Sequence, residues 1–309
     1  MVVKPGDKYI CPTSHEERLR ENGFTITSVI NSGKFGVVCS VKQTITTANN
    51  TNNNTNNKTS SQTTADIAVK IIDLSKTSEN YRKKMLPKEL KALEVLRHEF
   101  ITQIIRIILL TNTMYVFMEK ADGDVLDLLQ SKPDYAKGLP EPMAKQLYKC
   151  MAKALEYIHG KGWAHRDMKC ENILVNKEAS VAKITDFGVS TSCLSSSGER
   201  LLKDTYCGSP QYMAPEMIKN QPYDAMKSDI WSTGVILYVM INNLMPFSPQ
   251  EINGWLRQPP TNASIAATMK SKSSTTSKDC LDLIGKQIDV NLANRISIQN
   301  ILQHKWLNN

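Results

Sequence analysis

The spacing of apolar residues changes once along this chain, near residues 119–122, and that change limits what the chain can fold into. Before it, "FTITSVI", "FGVVCSV", "DIAVKII" and "MYVFME" read as strands, the first two paired across a glycine-bearing turn. A helix is expected over "LPKELKALEVL", where Leu86, Leu90, Leu93 and Leu96 fall on one stripe and Pro87 suits a first helical turn. After the change, "EPMAKQLYKCMAKALEYIHG" carries Met143, Leu147, Met151, Leu155 and Ile158 at helical spacing, with Gly160 placed to end the helix. A strand-rich front and a helix-rich back imply two lobes with a cleft.

Between two of the expected strands lies "TITTANNTNNNTNNKTSSQTT", residues 44–64, built almost wholly of Asn, Thr and Ser. Such a run cannot bury enough apolar area to offset its ordering entropy, so a disordered insert is expected there. The first twenty or so residues are polar and read as a flexible or loosely docked arm. The apolar runs "VILYVMI" and "IIRIILL" are too short to span a bilayer and read as buried core. No apolar stretch follows "MVVKPGDKYI", so no secretory signal is expected. Seven cysteines without a C-x-x-C pair fit reduced thiols in a cytoplasmic or nuclear protein. The net charge of +8 is dispersed apart from "YRKKMLPK" and "KSKSSTTSK", with no interleaved aromatics. A solvated face is expected, with neither nucleic acid nor membrane as partner.

The chemistry concentrates in two short segments. "HRDMKCEN", residues 165–172, crowds Asp167, Lys169 and Asn172 into one polar stretch, and "ITDFG" ends in Asp186, Phe187 and Gly188. An Asp and an Asn delivered by adjacent loops are oxygen ligands suited to Mg²⁺, which is bound through few protein groups and shared with substrate phosphates.

Taken together with "INSGKFGVVCSV", "AVKII" and "CGSPQYMAPE", these segments resemble the signature set of the protein kinase family, in order and spacing, over residues 24–308. The resemblance implies an α+β, bilobal protein-kinase fold. It has a small antiparallel-sheet N-lobe with one main helix (residues 23–118), a hinge (119–122) and a larger, mostly helical C-lobe (123–308), after an N-terminal arm (1–22). It implies that ATP and Mg²⁺ are used to phosphorylate protein substrates. Lys70 would hold the α/β-phosphates and pair with Glu89; Asn172 and Asp186 would bind the metal; Asp167 would accept the hydroxyl proton, with Lys169 near the transferred group. In the Gly-rich loop Asn31 stands at the first glycine position, Gly33 and Gly36 at the others, with Val38 over the adenine. Ala68, Met118, Glu119 and Ala121 would line the rest of the nucleotide site. Asn visits positive φ more readily than most residues, so Asn31 is expected to strain the loop little.

Lys169, two residues after Asp167, matches the serine/threonine type. The pattern is similar to the calmodulin-dependent-kinase-like group and, within it, to the testis-specific serine/threonine kinases. The resemblance further implies that Ser209 helps place the acceptor, that Glu216 pairs with Arg295, and that Asp229 supports the H-R-D backbone. Thr205 falls where many relatives are phosphorylated, with Arg166 as the partner for the phosphate. Thr191 replaces a basic residue that some relatives use as a second anchor, so weaker dependence on phosphorylation is expected. Asp124 and Glu171 suggest a preference for arginine upstream of the acceptor, and the β-branched Val189 a lean towards threonine. An upstream activating kinase or a chaperone is a partner the resemblance allows. The competing reading is a pseudokinase or scaffold that binds nucleotide or a partner without catalysis; the presence of Lys70, Glu89, Asp167, Asn172 and Asp186 argues against it.

Overall fold

The structure is a computed structural model that describes residues 13–33, 36–44, 64–110, 112–219, 221–272 and 276–309. The expected insert falls outside the described residues over 45–63, as do residues 1–12 of the expected arm. The chain divides into two compact units, 1–82 with 103–120 and 83–102 with 121–309.

The first unit is built on a five-stranded antiparallel sheet of β1 (Phe24–Gly33), β2 (Gly36–Thr44), β3 (Thr64–Asp73), β4 (Ile104–Leu110) and β5 (Thr113–Glu119). Their order is β1-β2-β3-β5-β4. Alternation gives the sheet two distinct faces. Val37, Cys39, Val41, Ile67, Val69, Ile71, Tyr115 and Phe117 form one buried cluster with Phe24 and Leu19. Leu19 comes from α1 (Thr13–Glu21), so part of the expected loose arm is a helix packed on the sheet. A nine-residue helix is marginal alone. Here Leu19 and a 2.9 Å hydrogen bond between His15 Nδ1 and the Tyr115 hydroxyl hold it.

A second expectation needs correcting. "IIRIILL" is the edge strand β4 rather than core, with Ile105 51% and Leu109 57% exposed. An edge strand has one neighbour, and apolar content alone does not distinguish it from a central one. Gly36 is required for a close approach, because a Cβ there would collide with the Ile71 carbonyl oxygen of β3. Gly36→Ala is expected to destabilise this unit by about 1–3 kcal/mol, measured as a lowered denaturation midpoint.

The second unit begins with α2 (Leu86–Val95), entered through a π-helical turn at Tyr81–Met85. Its buried side is Leu86, Glu89, Ala92 and, just past its end, Leu96; Leu90 lies only half-buried. A glutamate therefore occupies a core position that apolar periodicity assigned to its neighbour. Then follow β6 (Gly123–Asp124), α3 (Val125–Gln130), α4 (Glu141–Gly160), β7 (Trp163–Ala164), β8 (Ile173–Val175), β9 (Ala182–Ile184) and β10 (Thr191–Ser192). α4 buries Leu147, Met151, Leu155 and Ile158 as its spacing requires, and the left-handed residue after it is Gly162 rather than Gly160. After α5 (Pro215–Ile218), α6 (Ala225–Asn242) is buried on nearly every side and contains "VILYVMI". The remaining helices are α7 (Pro249–Gly254), α8 (Asn262–Lys272), α9 (Lys278–Gln287), α10 (Ile298–Leu302) and α11 (Lys305–Asn308). No helix among the described residues is long and apolar enough to cross a membrane. The result is the expected α+β class, an antiparallel sheet followed by a mainly helical unit.

Candidate active site

In the first unit, strand register collects the expected nucleotide residues on one face. Asn31 lies opposite Val38, Val38 opposite Lys70, Ala68 opposite Met118, and Gly33 opposite Gly36. Residues paired across an antiparallel ladder, and those two apart along a strand, point the same way. The side chains of Asn31, Val38, Lys70, Ala68 and Met118 thus project away from the buried cluster around Phe117, and Gly33 and Gly36 form the last pair of the β1–β2 ladder. Glu119 does not join them: it pairs with Ile67 on the other side, and its Oε1 accepts the Gln103 amide at 2.7 Å.

In the second unit, the β8–β9 hairpin brings the metal-ligand candidates together. Ile173 pairs with Ile184, so Asn172 just before β8 and Asp186 just after β9 leave the same end of the hairpin. The Thr185 amide donates to the Asn172 carbonyl at 3.0 Å. Asn172 Nδ2 donates to the Asp167 carbonyl (2.7 Å) and to Asp167 Oδ2 (3.3 Å), which fixes the orientation of the amide and leaves Oδ1 as its oxygen donor. Asp186 has φ of 62° and accepts the Gly188 amide on Oδ1 at 3.3 Å. Glu89 Oε2 would lie 3.7 Å from a Cβ on Gly188, so the buried glutamate of α2 stands beside this turn. Among the described residues no three His, Cys, Asp or Glu side chains are grouped to hold a metal by themselves.

Asp167 is held from several sides. Its Oδ1 accepts the Ser209 hydroxyl at 3.0 Å, and its Oδ2 lies 3.1 Å from Lys169 Nζ. Lys169 also reaches the Ser209 hydroxyl at 3.1 Å. A hydroxyl thus already donates to the carboxylate that sequence assigned as proton acceptor, with a cation beside both. Gly208, at φ of 100°, makes this approach possible: a Cβ there would sit 2.5 Å from the Arg166 carbonyl oxygen.

The loop carrying Asp167 is strained, with Arg166 at φ of 67°. Asp229 of α6, 1% exposed, compensates by accepting the His165 and Arg166 amides, both at 2.8 Å. His159 at the end of α4 adds a 3.0 Å hydrogen bond to Asp229, a partner the sequence reading did not identify. His165 then ties this loop to the next by its 2.9 Å contact with the Thr185 carbonyl and its edge-on packing against Phe187. Glu216 and Arg295 form the expected pair, bidentate at 2.6 and 3.1 Å.

Other candidates lie differently from the sequence picture. Asp124 Oδ1 caps α3, accepting the Leu126 and Asp127 amides at 2.7 and 3.0 Å. Burial and the nearby Asp127 and Glu171 raise its carboxyl above the ordinary range. Glu171 is exposed and Ala121 half-buried. Thr205 is exposed, whereas Thr191 is buried in β10 opposite Ala164. Lys88, within α2, is shifted down by burial and by the nearby charges of Arg166, Lys203 and Lys84. Lys84 and Lys88 belong to the basic run "YRKKMLPK"; that Arg166 and Lys203 lie near Lys88 was not legible in the sequence.

Comparison with known proteins accords with this geometry. The family described as Protein kinase domain matches residues 24–307. Testis-specific serine/threonine-protein kinase 3 of Mus musculus is 36% identical over 244 residues, covering 78% of this chain and 86% of its own length. Kinase 2 of the same type and organism is 35% identical, and the aligned part spans 66% of it. Testis-specific serine/threonine-protein kinase 4 of Homo sapiens is 30% identical over 313 residues, covering 96% of this chain and 85% of its own length. With the domain match running from the first strand to the last helix, the chain belongs to the protein kinase family and to its serine/threonine type.

Proposed function

We propose that this chain transfers the γ-phosphoryl group of ATP to serine and threonine hydroxyls of proteins, with Asp167 as proton acceptor. The observation that carries this reading is the Asp167–Lys169–Ser209 cluster, where a carboxylate, a cation and a bound hydroxyl meet within 3.1 Å. Phosphoryl transfer needs positioning and charge neutralisation more than covalent help, and this cluster supplies both. Asp167 receives the acceptor proton while Lys169 offsets charge on the transferred group. Lys70 binds the nucleotide phosphates from β3. Asn31, Gly33, Gly36, Val38, Ala68 and Met118 form the nucleotide face, and the chain beyond Glu119 to Ala121 offers backbone groups to the base.

The divalent ion that kinase chemistry requires is Mg²⁺ in this proposal. Asn172 Oδ1 and the Asp186 carboxylate suit it, because two protein oxygens leave most of the coordination shell to phosphate oxygens and water. When bound, it would neutralise phosphate charge that the protein side chains leave uncompensated.

Substrate choice follows from the acidic residues around the acceptor cluster. Asp127 and Glu171 lie close enough to Asp124 to raise its carboxyl, and this acidic group favours arginine upstream of the acceptor. Since Asp124 also caps α3, the exposed Glu171 takes the larger share. Val189 inclines the choice to threonine. The six described cysteines are free thiols, which supports a cytoplasmic or nuclear setting.

The test is purified protein with Mg-ATP and a degenerate peptide library. Transfer to peptides with upstream arginine is expected; ATP binding without any transfer would make the chain a pseudokinase, and a preference for acidic or proline-directed sites would sink the specificity. Thr205→Ala is expected to lower peptide phosphorylation by no more than about 10–10²-fold, since one charge-assisted contact is worth about 1.5–3 kcal/mol. Complete loss of activity in that variant would show a strict requirement for modification.

A further inference from the structure

The segment from Arg200 to Ser209 is tethered at three points to the residues that open α6. Lys203 and Tyr223 exchange both backbone hydrogen bonds across an isolated antiparallel bridge, each 2.8 Å. Arg200 Nη1 lies 2.8 Å from Asp224 Oδ2, while Asp224 Oδ1 caps α6 by accepting the Met226 and Lys227 amides. The Tyr223 hydroxyl donates to the Thr205 carbonyl at 3.1 Å.

The Arg166 guanidinium lies near enough to influence this phenol, and its Nε donates to the Val189 carbonyl at 2.7 Å. Tyr223 is 3% exposed and Arg166 5%. One neutral, buried hydroxyl therefore joins the start of α6 to the backbone of Thr205. Burial also raises the Tyr223 phenol far above its ordinary pKa, so the donor is present at every working pH. The charges nearby show what it compensates. Lys88 is shifted down by burial and by repulsion from Arg166, Lys203 and Lys84, with Asp204 as the opposing carboxylate. A cationic cluster of this kind gains from any acceptor its guanidinium can reach.

We infer that Tyr223 is a positioning residue: its hydroxyl ties the Thr205 backbone to the start of α6 and keeps residues 203–209 seated on Asp167 while Thr205 is unmodified. This rests on the kinase reading for its consequence but not for its geometry. The far end of the segment is seated accordingly, with Ser209 on Asp167 Oδ1 and Gly208 against the Arg166 carbonyl. Phosphate on Thr205 then adds a further tether to a segment already in place.

Tyr223→Phe removes the hydroxyl and keeps the ring and the backbone bridge. Backbone amides of residues 203–206 are expected to exchange hydrogen about tenfold faster than in the wild type, the amides of α6 remaining unchanged. In a Thr205→Ala background, adding Tyr223→Phe should raise the peptide KM about three- to tenfold. The KM for ATP and ATP hydrolysis without peptide should stay constant, whereas general destabilisation would move all of these together. Arg200→Ala, at a half-exposed side chain, should speed exchange near residues 200–203 and leave 205–206 protected. Unchanged exchange at 203–206 in the Tyr223→Phe protein overturns the inference, as does an unchanged peptide KM. A wild-type chain that phosphorylates no peptide refutes the proposed function instead, and the exchange measurement still decides the role of Tyr223.

Discussion

Asp167→Asn is expected to lower kcat for peptide phosphorylation by about 10²–10⁴-fold, the usual worth of a positioned general base. The carboxylate makes three contacts, to Ser209, Lys169 and Asn172. Asparagine can keep one acceptor oxygen but must turn its NH₂ group towards a donor. Facing Oδ2's partners, that NH₂ meets the Lys169 ammonium and the Asn172 amide; facing Ser209, it leaves the hydroxyl without its acceptor. The loss therefore combines a missing proton acceptor with a displaced Lys169. ATP affinity should change little, because the nucleotide candidates on β2, β3 and β5 are untouched. Steady-state transfer to a peptide, with ATP affinity measured by titration, checks both halves. A loss below tenfold would remove Asp167 from the role of base.

Glu216→Ala should cost about 3–5 kcal/mol, the price of leaving a buried charge unpaired. Arg295 is fully buried at its side chain and makes a bidentate pair with Glu216. It also donates to the Asp289 and Lys227 carbonyls at 2.9 Å and lies over the Trp231 ring at 5.2 Å. Those contacts hold the guanidinium in place when Glu216 is gone, so the charge cannot escape to water. Thermal unfolding of the second unit should fall by on the order of 10 °C. Replacing Arg295 by Met in addition removes the stranded charge but orphans two carbonyls, so only part of the loss should return. A Glu216→Ala protein within about 1 kcal/mol of the wild type would mean that water reaches Arg295.

Much of the site was legible in the sequence because its chemistry is carried by short segments. Asp167, Lys169 and Asn172 lie within six residues, and local loop geometry brings them together once the hairpin after them forms. Lys70 could be placed because a strand of alternating burial puts every second residue on one face. Glu89 was harder, since a helical stripe of leucines pointed to its neighbour Leu90 as the buried residue; the motif resemblance identified it where periodicity did not. The β4 error has the same origin as the α1 error. Composition reports how apolar a segment is, not how many neighbours cover it, so "IIRIILL" looked internal and the polar first residues looked loose.

The sequence by itself determined the class of fold and the serine/threonine type, and it proposed which groups react, because each is written in short motifs. Tertiary structure alone decided which distant residues hold those groups still. His159 steadies Asp229 from 70 residues away, and the Tyr223 hydroxyl reaches the Thr205 carbonyl. Tyr223 has no motif, for its meaning depends on burial and on the direction in which its hydroxyl is pointed. Those are properties of neighbours in space, and a one-dimensional pattern carries them only after the chain has folded.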